Sequence, residues 1–482
     1  DLADRATDLA LAAHVADEAR RGKLPKPRDG AAPVAGGIFA LAMGKMGARE
    51  LNYSSDIDLI VLYDDAAYAP EDQHEVRASL IRATRKAAAT LSDPTAHGYV
   101  FRTDLRLRPD ASVTPVCISA SAALSYYEAE GRSWERAAYI KARPCAGDLA
   151  AGERFLTALR PFVWRRHLDF ATVEDTHEMR RRIRDHKGLH GEIRALGQNM
   201  KLGRGGIREI EFFAQTRQLI AGGRDPDLRP RRTVDALAAL AAKGWIPAEV
   251  AAELTDHYAQ HRRIEHRIQM VNDAQTHTLP ATREGLAPVV HLDAETDLDA
   301  WSDRLEARLA RVETLTGDFF TPGSGTASEP RPELTGPQAE VVEGWRSYPA
   351  LRSARAQQIF SRIEPRILTA LFRAGHPGEA LDRFDRFLKG LPAGVQIFSM
   401  FDSNPSLIDL LGDICATSPA LAAHLARHPE VLDAVLAGSF FAPWPGAEAL
   451  REALAVLLDQ TLAAPQGGYE RALDAARRWA HE

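Results

Sequence analysis

The chain of 482 residues is long enough for more than one domain, and 45% apolar with 26% charged residues is the balance of an ordinary soluble protein. A net charge of −6 argues against a broad nucleic-acid surface, and no apolar run approaches the ~20 residues that a membrane-spanning helix needs. Cys117, Cys145 and Cys415 are too scattered for a zinc motif or a disulfide framework and no signal peptide is visible, so a reducing, cytoplasmic setting is the expectation.

In chain order, Asp1–Lys23 reads as an Ala- and Leu-rich helix and Leu24–Pro33 as a Pro/Gly linker. Gly37–Met43 reads as an apolar strand that delivers the chain into a glycine loop, Gly44-Lys-Met-Gly47. Ser54-Ser55-Asp56-Ile-Asp58 follows and runs into the apolar stretch Leu59–Tyr63. Along a strand, residues i and i+2 share a face. Asp56 and Asp58 therefore project side by side and repel each other unless a cation lies between them. Hard divalent ions such as Mg²⁺ take oxygen ligands of this kind, and a metal so held can also bind nucleotide phosphates. The plainer alternative, a polar face on an edge strand, sits poorly with the low strand preference of Asp.

Glu71–Leu91 has the period of a helix, with Val76, Leu80, Ala83, Ala87 and Leu91 on one stripe. From Gly98 to Pro109, Tyr99, Phe101, Thr103, Leu105 and Leu107 alternate with Val100, Arg102, Asp104, Arg106 and Arg108, the period of a half-buried strand. Its wet face sets Asp104 among arginines, whose forked guanidinium groups grip phosphate oxygens. A third carboxylate beside the first two would complete a two-metal site; an ordinary Arg–Asp ladder is the competing reading.

From Ser119 onward the helical period dominates. Trp134 to Arg143 places Lys141 and Arg143 at the end of a helix, either to hold phosphates or to complement the helix dipole. Met200–Phe212 is a second glycine loop opening a helix, where free backbone N–H groups attract anions and Lys201, Arg204 and Arg208 add positive charge. Glu211 either serves a metal or orients Arg208. The pairs His186/His190 and His261/His266 read as surface residues, and neither a Walker A sequence nor a GxGxxG fingerprint occurs. Thr321–Pro332 is the clearest linker. Beyond it, Ala380, Leu381, Phe384, Phe387 and Leu388, then Leu407, Leu410, Leu411 and Ile414, then Leu432, Val435 and Leu436, form stripes that predict an all-helical bundle without a functional polar cluster.

The order of glycine loop, Ser-Asp-x-Asp strand, helix and Asp-bearing strand resembles the nucleotidyltransferase fold of the DNA polymerase β superfamily. More closely, GKMGARELNYSSDIDL, FRTDLRLRPD, GRSWERAAYIKARP, KLGRGGIREIEFFAQ and NDAQTHTLP are similar, in that order and across about residues 34–440, to the bifunctional glutamine synthetase adenylyltransferase/adenylyl-removing enzymes. ELNYSSDIDL and KLGRGGIREIEF resemble the AMP-removing copy of their two catalytic domains. The resemblance implies an α+β protein with a small mixed-sheet nucleotidyltransferase domain followed by predominantly helical domains. It divides the chain into an N-terminal helical segment and linker (1–33), a catalytic domain (34–145), a helical domain completing the active site (146–320), a linker (321–337) and a helical central, regulatory region (338–482).

The chemistry implied is removal of AMP from a tyrosine of glutamine synthetase by phosphate, giving ADP. Asp56, Asp58 and Asp104 would be catalytic and hold two Mg²⁺ ions. Gly44, Gly47 and Ser55 would contact phosphate, and Arg106, Lys141, Arg143, Lys201 and Arg208 would neutralise the anions. Glutamine synthetase is the implied protein substrate, the PII signal protein the implied regulator, and phosphate, ADP and ATP the small ligands. ATP-dependent adenylylation of the same tyrosine, or a non-catalytic PII-binding module, are the alternatives. The chain lacks an initiator Met and ends in an uncapped helical stretch, Tyr469–Glu482, so the expectation is a fragment of a longer protein, with any second catalytic copy beyond Glu482.

Overall fold

The computed structural model describes all residues except 29–33, 166–190, 321–331, 333, 374, 404–405, 429–445, 464–467 and 482. The chain falls into two compact units, Asp1–Ser324 and Gly325–Glu482. The first is α+β, and it holds all five strands among the described residues: β1 (Ile38–Ala42), β2 (Ile57–Tyr63), β3 (Thr103–Asp104), β4 (Cys117–Ser119) and β5 (Arg143–Gly147). β1 is central and antiparallel to both β2 and β5; β3 and β4 pair in parallel with successive parts of β2.

β1 and the Leu59–Tyr63 part of β2 are continuous apolar runs because the sheet is covered on both faces there. Ile38, Ala40 and Ala42 of β1 join Leu59, Val61 and Tyr63 of β2 in one core, closed by Leu11 and Val15 of the helix Leu2–Arg20 and by Val76, Leu80, Ala83, Ala87 and Leu91 of the helix Gln73–Ser92. The alternate residues Phe39, Leu41, Ile60 and Leu62 face the other way, against Tyr127, Tyr139, Phe155 and Leu159. A third core, around Ile264, Ile268, Trp301, Leu305 and Leu309, joins the helices Ala248–Asn272 and Leu298–Phe320. The segments expected as separate domains, 34–145 and the described part of 146–320, lie within one compact unit.

Two expectations about strands are corrected. The long strand expected across residues 98–109 is only Thr103–Asp104. The Asp104 carboxylate accepts the Arg106 N–H at 2.8 Å, which turns the chain out of the ladder. Arg108 then folds onto the carbonyls of Leu105, Ala111 and Thr114, and β4 takes over the next part of the β2 edge. Conversely, residues 143–147 continue not as a helix end but as β5. Arg-Pro-Cys-Ala-Gly contains no β-branched residue, so pairing with β1, not propensity, makes it a strand.

The described part of the second unit is all helical. Ala380, Leu381, Phe384, Phe387 and Leu388 are buried on the helix Pro377–Gly390, and Trp345 packs edge-on against Phe360 and Phe384. On the helix Ser406–Thr417 the buried stripe is Leu407, Ile408, Leu411 and Cys415, with Leu410 and Ile414 only half-buried. The stripe expected at Leu432, Val435 and Leu436, most of the Thr321–Pro332 linker, and His186 and His190 lie outside the described residues.

Candidate active site

The turn between β1 and β2 builds one wall of the site. Its short helix Gly44–Gly47 is anchored where the Met43 N–H donates to the Asp58 carbonyl at 2.9 Å. Gly44 has φ +50°, and a Cβ there would stand 2.6 Å from Asp58 Oδ2, so a side chain is excluded where the loop closes over the carboxylate. Gly47 is a packing glycine: its Cβ would meet the Lys141 carbonyl at 2.1 Å.

The parallel register sets Asp58 directly opposite Asp104, and Asp56, two residues earlier, precedes the strand. These three line a cleft of about 500 Å³ together with Gly44, Ser55, Arg106, Lys141, Lys201, Arg208 and Glu211. The structure thus brings ten of the expected residues together. Gly47 and Arg143 are not among the lining residues. Arg143 instead forks onto Asp4, with both bonds at 2.8 Å, and donates to the carbonyls of Met46 and Gly47, tying the N-terminal helix to the underside of the glycine loop. Arg204, in the second glycine loop, pairs with Glu313 at 2.9 Å.

Burial first, then the charges of Asp104 and Asp56, push the Asp58 carboxyl up to about 6, with Lys201 and Lys45 opposing. For Asp104, burial acts upward, but hydrogen bonds from the Arg106 side chain and backbone hold it below its usual value. Glu211 accepts from Lys141 Nζ at 2.7 Å; burial would raise its carboxyl, yet Lys141 and then Arg208 bring it down to about 2. Glu211 therefore holds Lys141 in the cleft and shares its charge with Arg208. The Arg208 guanidinium lies 4.8 Å from the Phe212 ring, and its buried Nε has no hydrogen-bond partner.

The carboxylates have partners of their own. Asp56 accepts from Arg102 Nε at 3.1 Å and from Gln275, and Asp104 is gripped by Arg106. Among the described residues no three His, Cys, Asp or Glu side chains stand as a ready coordination group. The donor chemistry nonetheless fits a hard divalent cation: three carboxylates converge, and Asp58 is destabilised as an anion by its neighbours.

Among the cleft residues that carried no assignment from the sequence are Lys45, Gln275, His277 and Trp134. Lys45 stands inside the glycine loop and could have been marked as its cation; Gln275 and His277 lie in the NDAQTHTLP segment, whose polar residues have no periodicity to give them away. His261, expected at the surface, is fully buried: Nε2 lies 3.1 Å from the Gly205 carbonyl, bracing the second glycine loop, and burial holds its pKa down at about 3. Its companion His266 is half-buried. A larger groove of about 710 Å³ lies elsewhere in this unit, lined by Tyr63, Tyr68 and Tyr126; Asp65, its one lining carboxylate among the described residues, is bonded to Ser121.

A glycine loop over paired aspartates at the start of β2, with a third on the adjacent parallel strand, defines the nucleotidyltransferase class. Residues 1–158 match the family model described as glutamate-ammonia ligase adenylyltransferase, and residues 177–320 match that of the GlnD PII-uridylyltransferase. The chain is 44% identical, over its whole length and 51% of the relative's, to the bifunctional glutamine synthetase adenylyltransferase/adenylyl-removing enzyme of Mesorhizobium japonicum. It is 45% identical to that of Xanthobacter autotrophicus over 100% of the chain and 50% of the relative, and 43% identical to that of Agrobacterium fabrum over 98% and 49%. Over 98–100% of its length the chain is thus similar to these bifunctional enzymes, and it spans about half the length of the curated relatives it matches.

Proposed function

We propose that this chain removes AMP from an adenylylated tyrosine of glutamine synthetase by phosphorolysis. The observation that carries the reading is the cation set facing the carboxylates: Lys45, Lys141, Lys201 and Arg208 line the same cleft, and the buried Nε of Arg208 lacks a partner. A site that holds an AMP ester and a free phosphate together needs such a surplus of donors, since two anions must approach each other.

In this reading an oxygen of inorganic phosphate forms a bond to the AMP phosphorus while the bond from that phosphorus to the tyrosine oxygen breaks. The products are ADP and tyrosine, and the phosphate proton ends on the tyrosine oxygen. Lys201 and Arg208 bind the incoming phosphate. Lys141, fixed by Glu211, and the Gly44 loop with Ser55 hold the AMP phosphoryl. Arg106 is mostly exposed and can leave Asp104 for a phosphate oxygen. Two Mg²⁺ ions held by Asp56, Asp58 and Asp104 would supply neutralisation of the charge developing at phosphorus.

The names of the relatives and of the two family models support glutamine synthetase as the protein substrate and PII as the regulator; a cytoplasmic setting and a regulatory role for Gly325–Glu482 belong to the same proposal. Among the described residues no helix is long and apolar enough to cross a membrane. One observation favours a second reading, ATP-dependent adenylylation: the model named for the adenylyltransferase spans all three carboxylates. Incubation of the chain with adenylylated glutamine synthetase separates the two. The proposed reaction releases ADP, and only when phosphate is present. Free AMP without phosphate refutes phosphorolysis, and incorporation of label from α-labelled ATP into unmodified glutamine synthetase supports the second reading.

A further inference from the structure

One buried carboxylate outside the cleft gathers an unusual number of donors. Glu265, on the helix Ala248–Asn272, is fully buried. It accepts hydrogen bonds from Lys45 Nζ and Asn52 Nδ2, both at 2.8 Å. Arg262 Nε lies 3.1 Å and His277 Nδ1 2.8 Å from its oxygens. Burial alone would raise this carboxyl; His277, Lys45 and Arg262 together hold it well below the usual carboxylate range.

The donors come from places far apart in the chain. Lys45 and Asn52 belong to the turn between β1 and β2, Arg262 to the same helix as Glu265, and His277 to the segment that follows that helix. Two of the four, Lys45 and His277, line the cleft, whereas Glu265 is not among its lining residues. The segment that carries His277 also carries Gln275, which bonds Asp56, and its His277 carbonyl accepts the Met200 N–H at 2.7 Å, joining it to the second glycine loop. Glu265 thus stands where both glycine loops and the Asp56 carboxylate meet.

A buried ion pair is a poor source of net stability, because desolvation offsets most of the attraction. A carboxylate that fixes two cleft side chains has another use. Lys45 Nζ directs one of its three N–H bonds at Glu265, which leaves two for a ligand in the cleft, and the His277 ring stands with Nδ1 2.8 Å from Glu265 Oε1. Phosphate oxygens are the ligand chemistry that fits donors of this kind beside the carboxylates.

We propose that Glu265 is a positioning residue of this site: it holds Lys45 and His277 so that they bind phosphate oxygens, and it locks the 273–279 segment onto the first glycine loop. The inference rests on the phosphorolysis reading for the identity of the ligand. The experiment uses the full chain, with adenylylated glutamine synthetase and inorganic phosphate as substrates. Failure of the wild type to release ADP would overturn the reading of function itself. With an active wild type, E265Q and K45M are each expected to raise the KM for phosphate at least tenfold, more than they lower kcat. E265D should recover part of the loss. The combined effect in the double variant E265Q/K45M should fall well short of the product of the single effects, because both variants disturb the Lys45 contact. A purely structural role would lower the melting temperature and the active fraction and leave the KM unchanged. A folded E265Q with a KM within twofold of wild type, or single effects that multiply in the double variant, overturns the proposal. Should E265Q not fold, K45M decides: a raised KM in a folded protein supports the proposal, and an unchanged one overturns it.

Discussion

Replacing Asp58 with asparagine should stabilise the metal-free protein while abolishing its turnover. The Asp58 carboxyl is pushed from its usual 3.8 up to about 6, chiefly by burial and then by Asp104 and Asp56. At 1.36 kcal/mol per pH unit that difference corresponds to about 3 kcal/mol. The folded protein binds this proton more tightly than the unfolded chain does. Ionised Asp58 therefore destabilises the fold above pH 6, and the penalty fades as the pH falls from 6 and is gone below ~4. Asparagine carries no charge at any pH. Allowing for solvent relaxation around the cleft, D58N should exceed wild type by ~1–3 kcal/mol at pH 8, a rise in melting temperature on the order of 2–5 °C for a unit of this size. The assay is thermal unfolding in the presence of a chelator at pH 8 and pH 4, followed by Mg²⁺ titration. The gain should vanish at pH 4, and Mg²⁺ should raise the melting temperature of wild type more than that of D58N, since a ligand stabilises only the state that binds it. A D58N protein no more stable than wild type at pH 8, or equally favoured at both pH values, refutes the electrostatic account of the site. Turnover near the wild-type rate in Mg²⁺ refutes the catalytic one.

Two other substitutions separate packing from binding. G44A forces a Cβ to within 2.6 Å of Asp58 Oδ2 at a positive φ, so it should cost ~1–3 kcal/mol in chemical denaturation and, by displacing Asp58, lower kcat as well. R143M removes the fork onto Asp4 and the bonds to the Met46 and Gly47 carbonyls, so a loss of ~2–4 kcal/mol in stability is expected with the KM for phosphate unchanged; a raised KM in a stably folded R143M would return Arg143 to the binding site.

Much of the arrangement of the candidate site was legible in local pattern. The spacing of two predicted that Asp56 and Asp58 share a face, and both line the cleft although Asp56 precedes β2; the apolar run after them is that strand. The stripe of Val76, Leu80, Ala83, Ala87 and Leu91 likewise determines which side of its helix is buried, and all five residues are buried. Asp104 was recognisable as a third carboxylate, though not the two-residue length of its strand, because the competing bond from its own side chain to the Arg106 N–H belongs to no periodicity. Other outcomes were decided only in three dimensions. Lys141 and Arg143 stand two residues apart with similar charge, yet one meets Glu211 in the cleft and the other meets Asp4 behind it, because the chain enters β5 between them. His261 is buried where its spacing suggested a surface, because the second glycine loop folds over it. Lys45 reaches a carboxylate 220 residues away. Short-range repeats dictate which face of an element is apolar; which cation meets which anion depends on how distant elements pack, and no local pattern in the chain encodes that.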